Sequence, residues 1–189
     1  MIRVFDIIFS FVGLILFGPI LLAVIVIGFF DTGSPIFRQE RVGMHKKPFR
    51  LMKFRTMYLN APSVATHLAS ASSITPFGSL LRKSKLDELP QLWNVLVGDM
   101  SLVGPRPNLF NQEELIKERE SLGVYSVLPG ITGLAQINKI DMSTPKILAE
   151  TDAKMIKKLN SLVYIKYIFL TVFGKGYGDR IKKEDPKIL

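Results

Sequence analysis

Residues 7–30 read IIFSFVGLILFGPILLAVIVIGFF and contain no charged side chain. Arg3 and Asp6 precede this run, and Asp31 closes it. The run is about as long as the ~20 residues that cross a bilayer as a helix. Because it is apolar on every face rather than along one stripe, it does not fit a helix half-buried in a soluble core. The run therefore predicts a membrane helix at the start of the chain.

The dipeptide Gly18-Pro19 lies near the middle of this run. A proline inside a helix removes a backbone donor and clashes with the preceding turn, so we expect a kink there. Two arrangements follow: a kinked helix that spans the bilayer, or a re-entrant helix that bends and returns to the same face. Since kinked spanning helices are common, the kink by itself favours the first.

The chain carries 25 Lys and Arg against 16 Asp and Glu, a net charge of +9, and its mean hydropathy is +0.26. Seven of these cations follow the apolar run closely: Arg38, Arg41, Lys46, Lys47, Arg50, Lys53 and Arg55. Such a concentration predicts a cytoplasmic location from residue 31 onward. Near anionic lipid each cation contributes about 1 kcal/mol of attraction.

The basic excess does not require nucleic acid as a partner. The aromatic residues sit mainly in apolar runs, whereas a platform for single strands interleaves them with Arg and Lys. We therefore predict no nucleic-acid binding. The chain has no cysteine, which excludes disulfides and thiolate metal sites.

The remaining patterns predict an α-rich α+β fold: one compact membrane-associated domain with a short β-hairpin and interfacial helices. The hairpin is predicted over residues 35–56, where aromatic and aliphatic residues flank a polar turn at Gly43. Helices are predicted from Thr75-Pro76 into Phe77–Lys83, from Asp87 to Val97 with Gly98 at its end, over residues 111–121 as an exposed charged helix, and from Thr144-Pro145 to about Asn160.

The stretch Leu162–Phe173 is nearly all apolar, with Lys166 as its one charge. It is too short to span a bilayer, so we expect it in the membrane interface or against the core. Residues 60–73 are weakly patterned, and the polar tail 174–189 is expected to be loosely ordered.

Adjacent carboxylates occur at Asp87 and Glu88, shortly after Arg82, Lys83 and Lys85. In one interpretation Asp87 caps a helix and Glu88 complements the helix dipole. In the other, the pair divides the work of phosphoryl transfer: one carboxylate binds a divalent cation or attacks phosphorus, and its neighbour handles a proton. Mg²⁺ often uses only one or two protein carboxylates, with phosphates and waters completing its shell.

A proline-rich loop follows at Gly104-Pro105-Arg106-Pro107. A guanidinium on such a stiff support can grip a phosphate through two parallel hydrogen bonds. Alternatively, Arg106 satisfies backbone carbonyls of the turn itself. The chain has no Walker loop and no dinucleotide glycine fingerprint.

Five ordered motifs make the chain resemble the bacterial sugar transferase family, the monotopic phosphoglycosyl transferases that start glycan assembly. They are FRQERVG at Phe37–Gly43, KFRTM at Lys53–Met57, LDELPQLWN at Leu86–Asn94, GDMSLVGPRP at Gly98–Pro107 and PGITGLAQ at Pro129–Gln136. The resemblance covers nearly the whole chain.

The resemblance implies an enzyme that moves sugar 1-phosphate from a UDP-sugar to undecaprenyl phosphate and releases UMP. It implies a two-step route through a covalent phosphosugar enzyme, with Mg²⁺ as cofactor. The re-entrant arrangement, broken near Pro19, is then the expected one. The enzyme would lie on the cytoplasmic face of the bacterial inner membrane, among membrane lipids, with a homodimer as one option. We accordingly divide the chain into a re-entrant membrane helix (1–30), a cytoplasmic catalytic domain with an interfacial C-terminal helix (31–173) and a polar tail (174–189).

The resemblance also implies roles for individual residues. Asp87 would be the nucleophile and Mg²⁺ ligand, and Glu88 the general acid and base. Arg106 would bind phosphate or the nucleotide. The additional substrate contacts would be Lys53, Arg55 and Arg82 for phosphate and Asp152, which matches an acidic residue near the C-terminal helix.

The chain departs from the family pattern in two places. After Gln136, many relatives continue x-Asn-Gly-Arg, whereas this chain reads Ile137-Asn138-Lys139-Ile140 and lacks the arginine. Lys85 also stands where a small hydroxyl residue is common.

Two rival functions remain at this point. In a ternary-complex transferase, Asp87 holds only magnesium and the lipid phosphate attacks directly. In a non-catalytic membrane scaffold, the basic face holds lipid or a partner and neither carboxylate is needed.

Overall fold

The structure is a computed structural model that describes residues 1–61 and 71–173. Its helices are α1 (Ile2–Leu16), α2 (Gly18–Thr32), α3 (Pro76–Ser84), α4 (Gln91–Val97), α5 (Glu113–Ser121), α6 (Leu134–Ile137), α7 (Pro145–Lys158) and α8 (Ser161–Val172). Its strands are β1 (Ile36–Val42), β2 (Pro48–Phe54), β3 (Ser101–Val103) and β4 (Gly130–Thr132). The predicted helix-rich fold with a small antiparallel hairpin is confirmed. Most of segment 60–73 and the whole tail 174–189 lie outside the described residues.

The apolar run forms two helices rather than one. α1 and α2 meet at Phe17 with a bend of 61°, and Pro19 lies in the first turn of α2. The predicted kink is therefore confirmed. Among the described residues no single helix has the length and hydropathy of a membrane span, and α1 with α2 is the one bent pair that reaches them jointly.

Burial in α1 is the reverse of burial in a soluble amphipathic helix, whereas α2 buries Val24 and Gly28. The two buried residues of α1 are the polar Asp6 and Ser10. Large apolar side chains point away from the protein, and Leu16 and Phe30 are exposed by 68% and 88%. Large exposed apolar faces mark contact surfaces for protein or membrane.

Both ends of the bent pair are joined to the rest of the fold by polar contacts. Near the start of α1, Arg3 donates to the carbonyls of Val95 (2.6 Å) and Leu96 (2.9 Å) at the end of α4. Near the end of α2, Asp31 accepts a 2.7 Å hydrogen bond from the Thr75 hydroxyl. The first and last turns of the pair therefore contact one folded body.

The hairpin pairs β1 with β2 from Ile36 opposite Phe54 to Val42 opposite Pro48. Asn94 of α4 binds its edge: Oδ1 accepts from the Met52 amide (3.0 Å) and Nδ2 donates to the Arg50 carbonyl (2.8 Å). These two bonds position β2 against α4.

The predicted helix from Asp87 to Val97 is wrong in its first turn. Leu86–Glu88 form a 3₁₀ turn, and α4 begins only at Gln91. Pro90 has no amide hydrogen, so the α-helical bond from residue 90 to residue 86 cannot form. The turn is closed instead by i to i−3 bonds, such as Leu89 N to Leu86 O at 3.2 Å. The predicted end is confirmed, because Gly98 adopts a left-handed C-cap with φ of 102°.

A parallel strand pair was not predicted. Ser101 pairs with Gly130, and Val103 pairs with Thr132. Each strand is only three residues long, which is too short for a recognisable period. The pairing requires glycine, since a Cβ on Gly130 would lie 2.0 Å from the Gly104 amide nitrogen. The proline-rich loop after β3 is thus fixed against the PGITG segment.

Helix α5 is not fully exposed as predicted, because Leu115 and Arg119 are buried. The predicted helix to Asn160 ends at Lys158, and the Asn160 side chain caps α8 instead. The expectation that α8 lies against the core is confirmed for part of the helix, and its location in the membrane interface stays a prediction. Its Tyr164 packs into the core with side chains such as Leu51, Val95 and Met100, while other side chains on the helix face outward, exposed by 81% at Leu162, 59% at Phe169 and 74% at Val172.

Candidate active site

The two adjacent carboxylates lie on the 3₁₀ turn between α3 and α4. Asp87 is exposed by 4% and Glu88 by 8%. Lys85 precedes the turn in a left-handed conformation with φ of 60°, and Pro90 follows it as the N-cap of α4. Asp87 is therefore inside the 3₁₀ turn and is not the N-cap residue of either element. Both carboxylates are held in a fixed, largely dehydrated turn.

Glu88 forms ion pairs with two of the residues predicted to bind phosphate, Arg106 and Lys53. Its Oε1 lies 2.7 Å from Nη2 of Arg106 and 3.3 Å from Nζ of Lys53. The three side chains come from the turn, the proline-rich loop and β2. Their side chains are exposed by 10%, 19% and 9%. Charges that are this poorly hydrated interact more strongly than on an open surface.

The backbone carbonyl of Arg106 accepts a hydrogen bond from a second arginine, Arg119. Arg119 Nη1 donates to the Arg106 carbonyl (2.8 Å) and to Asn108 Oδ1 (2.9 Å). Its Nε and Nη2 donate to Oδ2 of Asp152 at 3.1 and 2.7 Å. It is therefore Arg119 that satisfies a carbonyl of the loop, and the Arg106 guanidinium is directed to Glu88.

Asp152 lies under the loop rather than beside Glu88. It is completely buried, and the described contact of its carboxylate is the ion pair with Arg119. Burial raises the pKa of the Asp152 carboxyl, and the charge and hydrogen bonds of Arg119 act in the opposite direction. A direct contact between Asp152 and substrate stays a prediction. The described geometry connects this carboxylate to the site through Arg119 and the backbone of Arg106.

The other two predicted phosphate contacts are placed differently. Arg82 Nε donates to the Thr56 hydroxyl (2.8 Å), and its Nη1 is buried without a hydrogen-bond partner in the described structure. Arg55 donates to the Ser34 carbonyl (2.8 Å) and lies 5.4 Å from the centre of the Phe37 ring. Arg55 thus contacts the segment that connects α2 to β1. Arg82 keeps one N–H group without a hydrogen-bond partner among the described residues.

Two further polar residues line the site and were not predicted from the sequence as site residues. Arg41 donates to the Pro107 carbonyl (3.1 Å), and Gln91 begins α4 just after the turn. Both border a small cavity, whose lining is Arg41, Leu51, Lys53, Gln91, Arg106 and Pro107. Both lie inside motifs of the resembled family, yet neither residue type points to chemistry without tertiary neighbours.

The described residues contain no group of three or more His, Cys, Asp or Glu side chains that could hold a metal ion by themselves. The carboxylates of the turn nevertheless fit Mg²⁺, which takes oxygen ligands and completes its shell with phosphate and water. Asp87 and Glu88 are adjacent and buried on this turn, so both are candidate ligands for the ion. Lys53 and Arg106 place two cations at the turn, and cationic side chains of this kind suit a phosphorylated ligand.

Comparison with known proteins identifies the family. The model of the family described as bacterial sugar transferase matches residues 1–175. The chain is 40% identical over 171 residues to the uncharacterized sugar transferase EpsL of Bacillus subtilis, covering 90% of this chain and 84% of that protein.

Longer relatives match over their shared part. The chain is 41% identical to the UDP-glucose:undecaprenyl-phosphate glucose-1-phosphate transferase of Klebsiella pneumoniae, covering 93% of this chain and 40% of that protein. It is 37% identical to the protein of the same name in Escherichia coli K12, again covering 40% of it. The chain thus spans less than half the length of these two relatives. The match over residues 1–175, together with the carboxylate turn and its cations, shows that this chain belongs to the bacterial sugar transferase family.

Proposed function

We propose that this chain transfers sugar 1-phosphate from a UDP-sugar to undecaprenyl phosphate, with Asp87 as the nucleophile. The observation that carries the proposal is the buried turn in which Glu88 meets Lys53 and Arg106 directly beside Asp87. Relatives named as UDP-sugar:undecaprenyl-phosphate transferases support the choice of donor and acceptor.

In the first step, a carboxylate oxygen of Asp87 attacks the phosphorus that carries the sugar. A new oxygen–phosphorus bond forms, and the bond from that phosphorus to the bridging oxygen of the diphosphate breaks. The electron pair goes to UMP, and the sugar phosphate remains on Asp87 as a mixed anhydride. A covalent intermediate divides one difficult displacement into two easier ones.

In the second step, an oxygen of undecaprenyl phosphate attacks the same phosphorus and releases the Asp87 carboxylate. Glu88 accepts or donates any proton carried by the attacking or leaving oxygen, because its carboxylate adjoins the nucleophile on the same buried turn. The product is a lipid diphosphate sugar, the starting point of lipid-linked glycan synthesis.

Magnesium would be held by Asp87 together with diphosphate oxygens. When bound, it would neutralise charge on the diphosphate and the leaving group. Lys53 and Arg106 provide positive charge from the protein, and they also keep Glu88 oriented.

We also propose that residues 1–30 enter the membrane and return to its cytoplasmic face, so that residues 31–173 form the catalytic domain there. Each helix of the bent pair has 15 residues, about 22 Å, against the ~30 Å of a bilayer core. Arg3 and Asp31 lie at opposite ends of the pair. Both form hydrogen bonds with the domain that carries the site. The outward apolar side chains of α8 would lie in the same interface.

The deciding experiment is intact-protein mass spectrometry of detergent-solubilised enzyme with Mg²⁺ and a panel of UDP-sugars, without lipid acceptor. We expect an adduct with the mass of one sugar phosphate, mapped to the peptide that contains Asp87. Asp87→Asn should remove both the adduct and turnover. The matched variant Glu88→Gln keeps an oxygen at the same position but loses the charge that pairs with Lys53 and Arg106, so the unfolding temperature of each variant is measured beside its activity.

Three other results would redirect the proposal. If Asp87→Asn turned over at a near-normal rate, the assignment of the nucleophile would be wrong. UMP formation that required undecaprenyl phosphate and left no adduct would favour the ternary-complex rival. A chain that produced no UMP with any donor, and bound lipid equally well with both carboxylates neutralised, would be the scaffold.

A further inference from the structure

Gln91 is the first residue of α4, three positions after Glu88, and it is exposed by only 3%. Its side-chain nitrogen Nε2 has no hydrogen-bond acceptor within reach among residues 1–61 and 71–173. Buried polar groups in folded proteins are nearly always paired, because an unpaired one loses water without compensation. An unpaired amide at this position therefore points to a partner other than the described residues of the chain.

The surroundings of Gln91 specify the chemistry of that partner. Gln91 shares a small cavity with three cations, Arg41, Lys53 and Arg106. The space accessible within it is about 10 Å³, which is the room taken by one water-sized group. Three cations and an amide donor around one such space select a single oxygen atom with negative charge.

Two of these cations already contact the catalytic turn. Lys53 and Arg106 both reach Oε1 of Glu88, so the cavity adjoins the carboxylate next to the proposed nucleophile. An oxygen in the cavity would consequently belong to the group that reacts at the turn. The α4 N-terminus is held rigidly by the 3₁₀ bonds before it, so Nε2 is presented from a fixed support.

We propose that this cavity is an oxyanion hole that receives one non-bridging oxygen of the phosphoryl group under transfer, and that Gln91 Nε2 donates a hydrogen bond to that oxygen. The inference rests on the proposed function and adds a substrate contact to it. During displacement, negative charge is distributed over the oxygens of the transferred group. A donor that is already oriented stabilises this charge without reorganisation, which is how such holes accelerate reactions.

The same oxygen chemistry has two sources in this reaction. One is the phosphoryl group of the UDP-sugar, which becomes attached to Asp87. The other is the phosphate of the incoming lipid. The two sources act in different half-reactions, so rapid-quench measurements can separate them.

The test compares Gln91→Met and Gln91→Glu with the unsubstituted enzyme in detergent with Mg²⁺ and the active UDP-sugar. Methionine keeps the length of the side chain and removes the donor, whereas glutamate places a carboxylate against the phosphoryl oxygen. Without lipid acceptor, we expect the rate constant of UMP release to fall by roughly 10- to 1,000-fold in both variants. Affinity for the UDP-sugar should change much less, because the contact strengthens in the transition state.

Gln112→Met is the control, since Gln112 bonds the Leu109 amide and does not line the cavity. It should release UMP at the normal rate. Thermal unfolding shows whether each variant is folded. If Gln91→Met does not fold, the rate of UMP release by Gln91→Glu tests the proposal.

Each outcome decides a separate point. A defect confined to transfer from the adduct to lipid would assign the cavity to the lipid phosphate. Normal rates in both half-reactions would overturn the inference and leave the cavity as a site for water. Absence of UMP from the unsubstituted enzyme with every donor would overturn the proposed function, and this inference with it.

Discussion

The hydroxyl of Tyr164 in α8 donates a 2.6 Å hydrogen bond to Oδ1 of Asp6 in α1. The same oxygen accepts from the Ser101 hydroxyl (2.9 Å) and from the Leu102 amide (2.8 Å). Asp6 therefore joins the first helix, the last described helix and β3. Because β3 leads directly into the loop of Arg106, the apolar N-terminal helix is part of the scaffold of the site.

Removal of the Asp6 acceptor should destabilise the whole domain. Asp6→Ala leaves three donors without their partner, and each unsatisfied buried group costs about 1–3 kcal/mol. We expect a marked fall in the thermal unfolding temperature in detergent and a parallel loss of turnover. Asp6→Asn keeps an acceptor oxygen, so its unfolding temperature and its turnover should fall less than those of Asp6→Ala. Ile8→Ala, at a side chain exposed by 48% on the same helix, is the control and should unfold like the parent.

The stability of the protein at alkaline pH should depend on Tyr164. Burial, and then the hydrogen bond and charge of Asp6, raise the pKa of Tyr164 well above its usual range. The unfolded chain ionises this group near pH 10, whereas the folded chain keeps it protonated. Its contribution is thus fully present below pH 10 and is lost as the pH rises above that value.

The measurement is the free energy of unfolding between pH 8 and 11. Tyr164→Phe should be less stable at pH 8, because Asp6 loses a donor, but it should lose less stability over this interval. Parallel curves for the two proteins would contradict the prediction.

Breaking the pair of Arg119 and Asp152 should affect folding before it affects chemistry. Arg119→Met leaves the Asp152 carboxylate buried without its described partner and the Arg106 carbonyl without a donor. Loss of one member of a buried pair costs about 3–5 kcal/mol. Chemical denaturation would measure it.

The same pair tests the predicted substrate contact of Asp152. If the carboxylate only supports Arg119, Asp152→Asn should lower stability and leave the turnover of the remaining folded enzyme close to normal. If it touches substrate, the turnover of the remaining folded enzyme should also fall, by at least about tenfold.

Gly130→Ala should disrupt the contact between two loops of this chain, PGITG and GPRP. The added Cβ would lie 2.0 Å from the Gly104 nitrogen and 2.5 Å from its Cα, and backbone atoms cannot move aside as a flexible side chain does. We expect poor folding, read from expression and unfolding temperature. Gly18→Ala is the matched control, since its Cβ would meet nothing within 4 Å.

Re-entry predicts that both ends of the bent pair lie on the same side of the membrane. The chain contains no cysteine, so single cysteines can be introduced cleanly, one inserted after Met1 and one as Lys47→Cys. In sealed inverted vesicles a membrane-impermeant maleimide should label both. If only the Lys47 position reacted before detergent was added, the helix would span the membrane.

The sequence by itself determined the features that depend on local rules. Pro19 predicted the break in the apolar run, because a proline perturbs a helix wherever it occurs. Thr75-Pro76 predicted the start of α3, since the cap and the first-turn proline act on the adjacent backbone, and the Thr75 hydroxyl does accept from the Gly78 amide. The motif around Asp87 and Glu88 identified the family and the candidate dyad.

Only the tertiary structure decided how those residues are held. Lys53 and Glu88 are 35 positions apart, Arg119 and Asp152 are 33 apart, and Asp6 and Tyr164 are 158 apart. No local period or propensity relates such pairs, and each forms because packing brings two elements together. The 3₁₀ turn, the β3–β4 pair and the unpaired amide of Gln91 have the same origin: they depend on which neighbours the folded chain supplies.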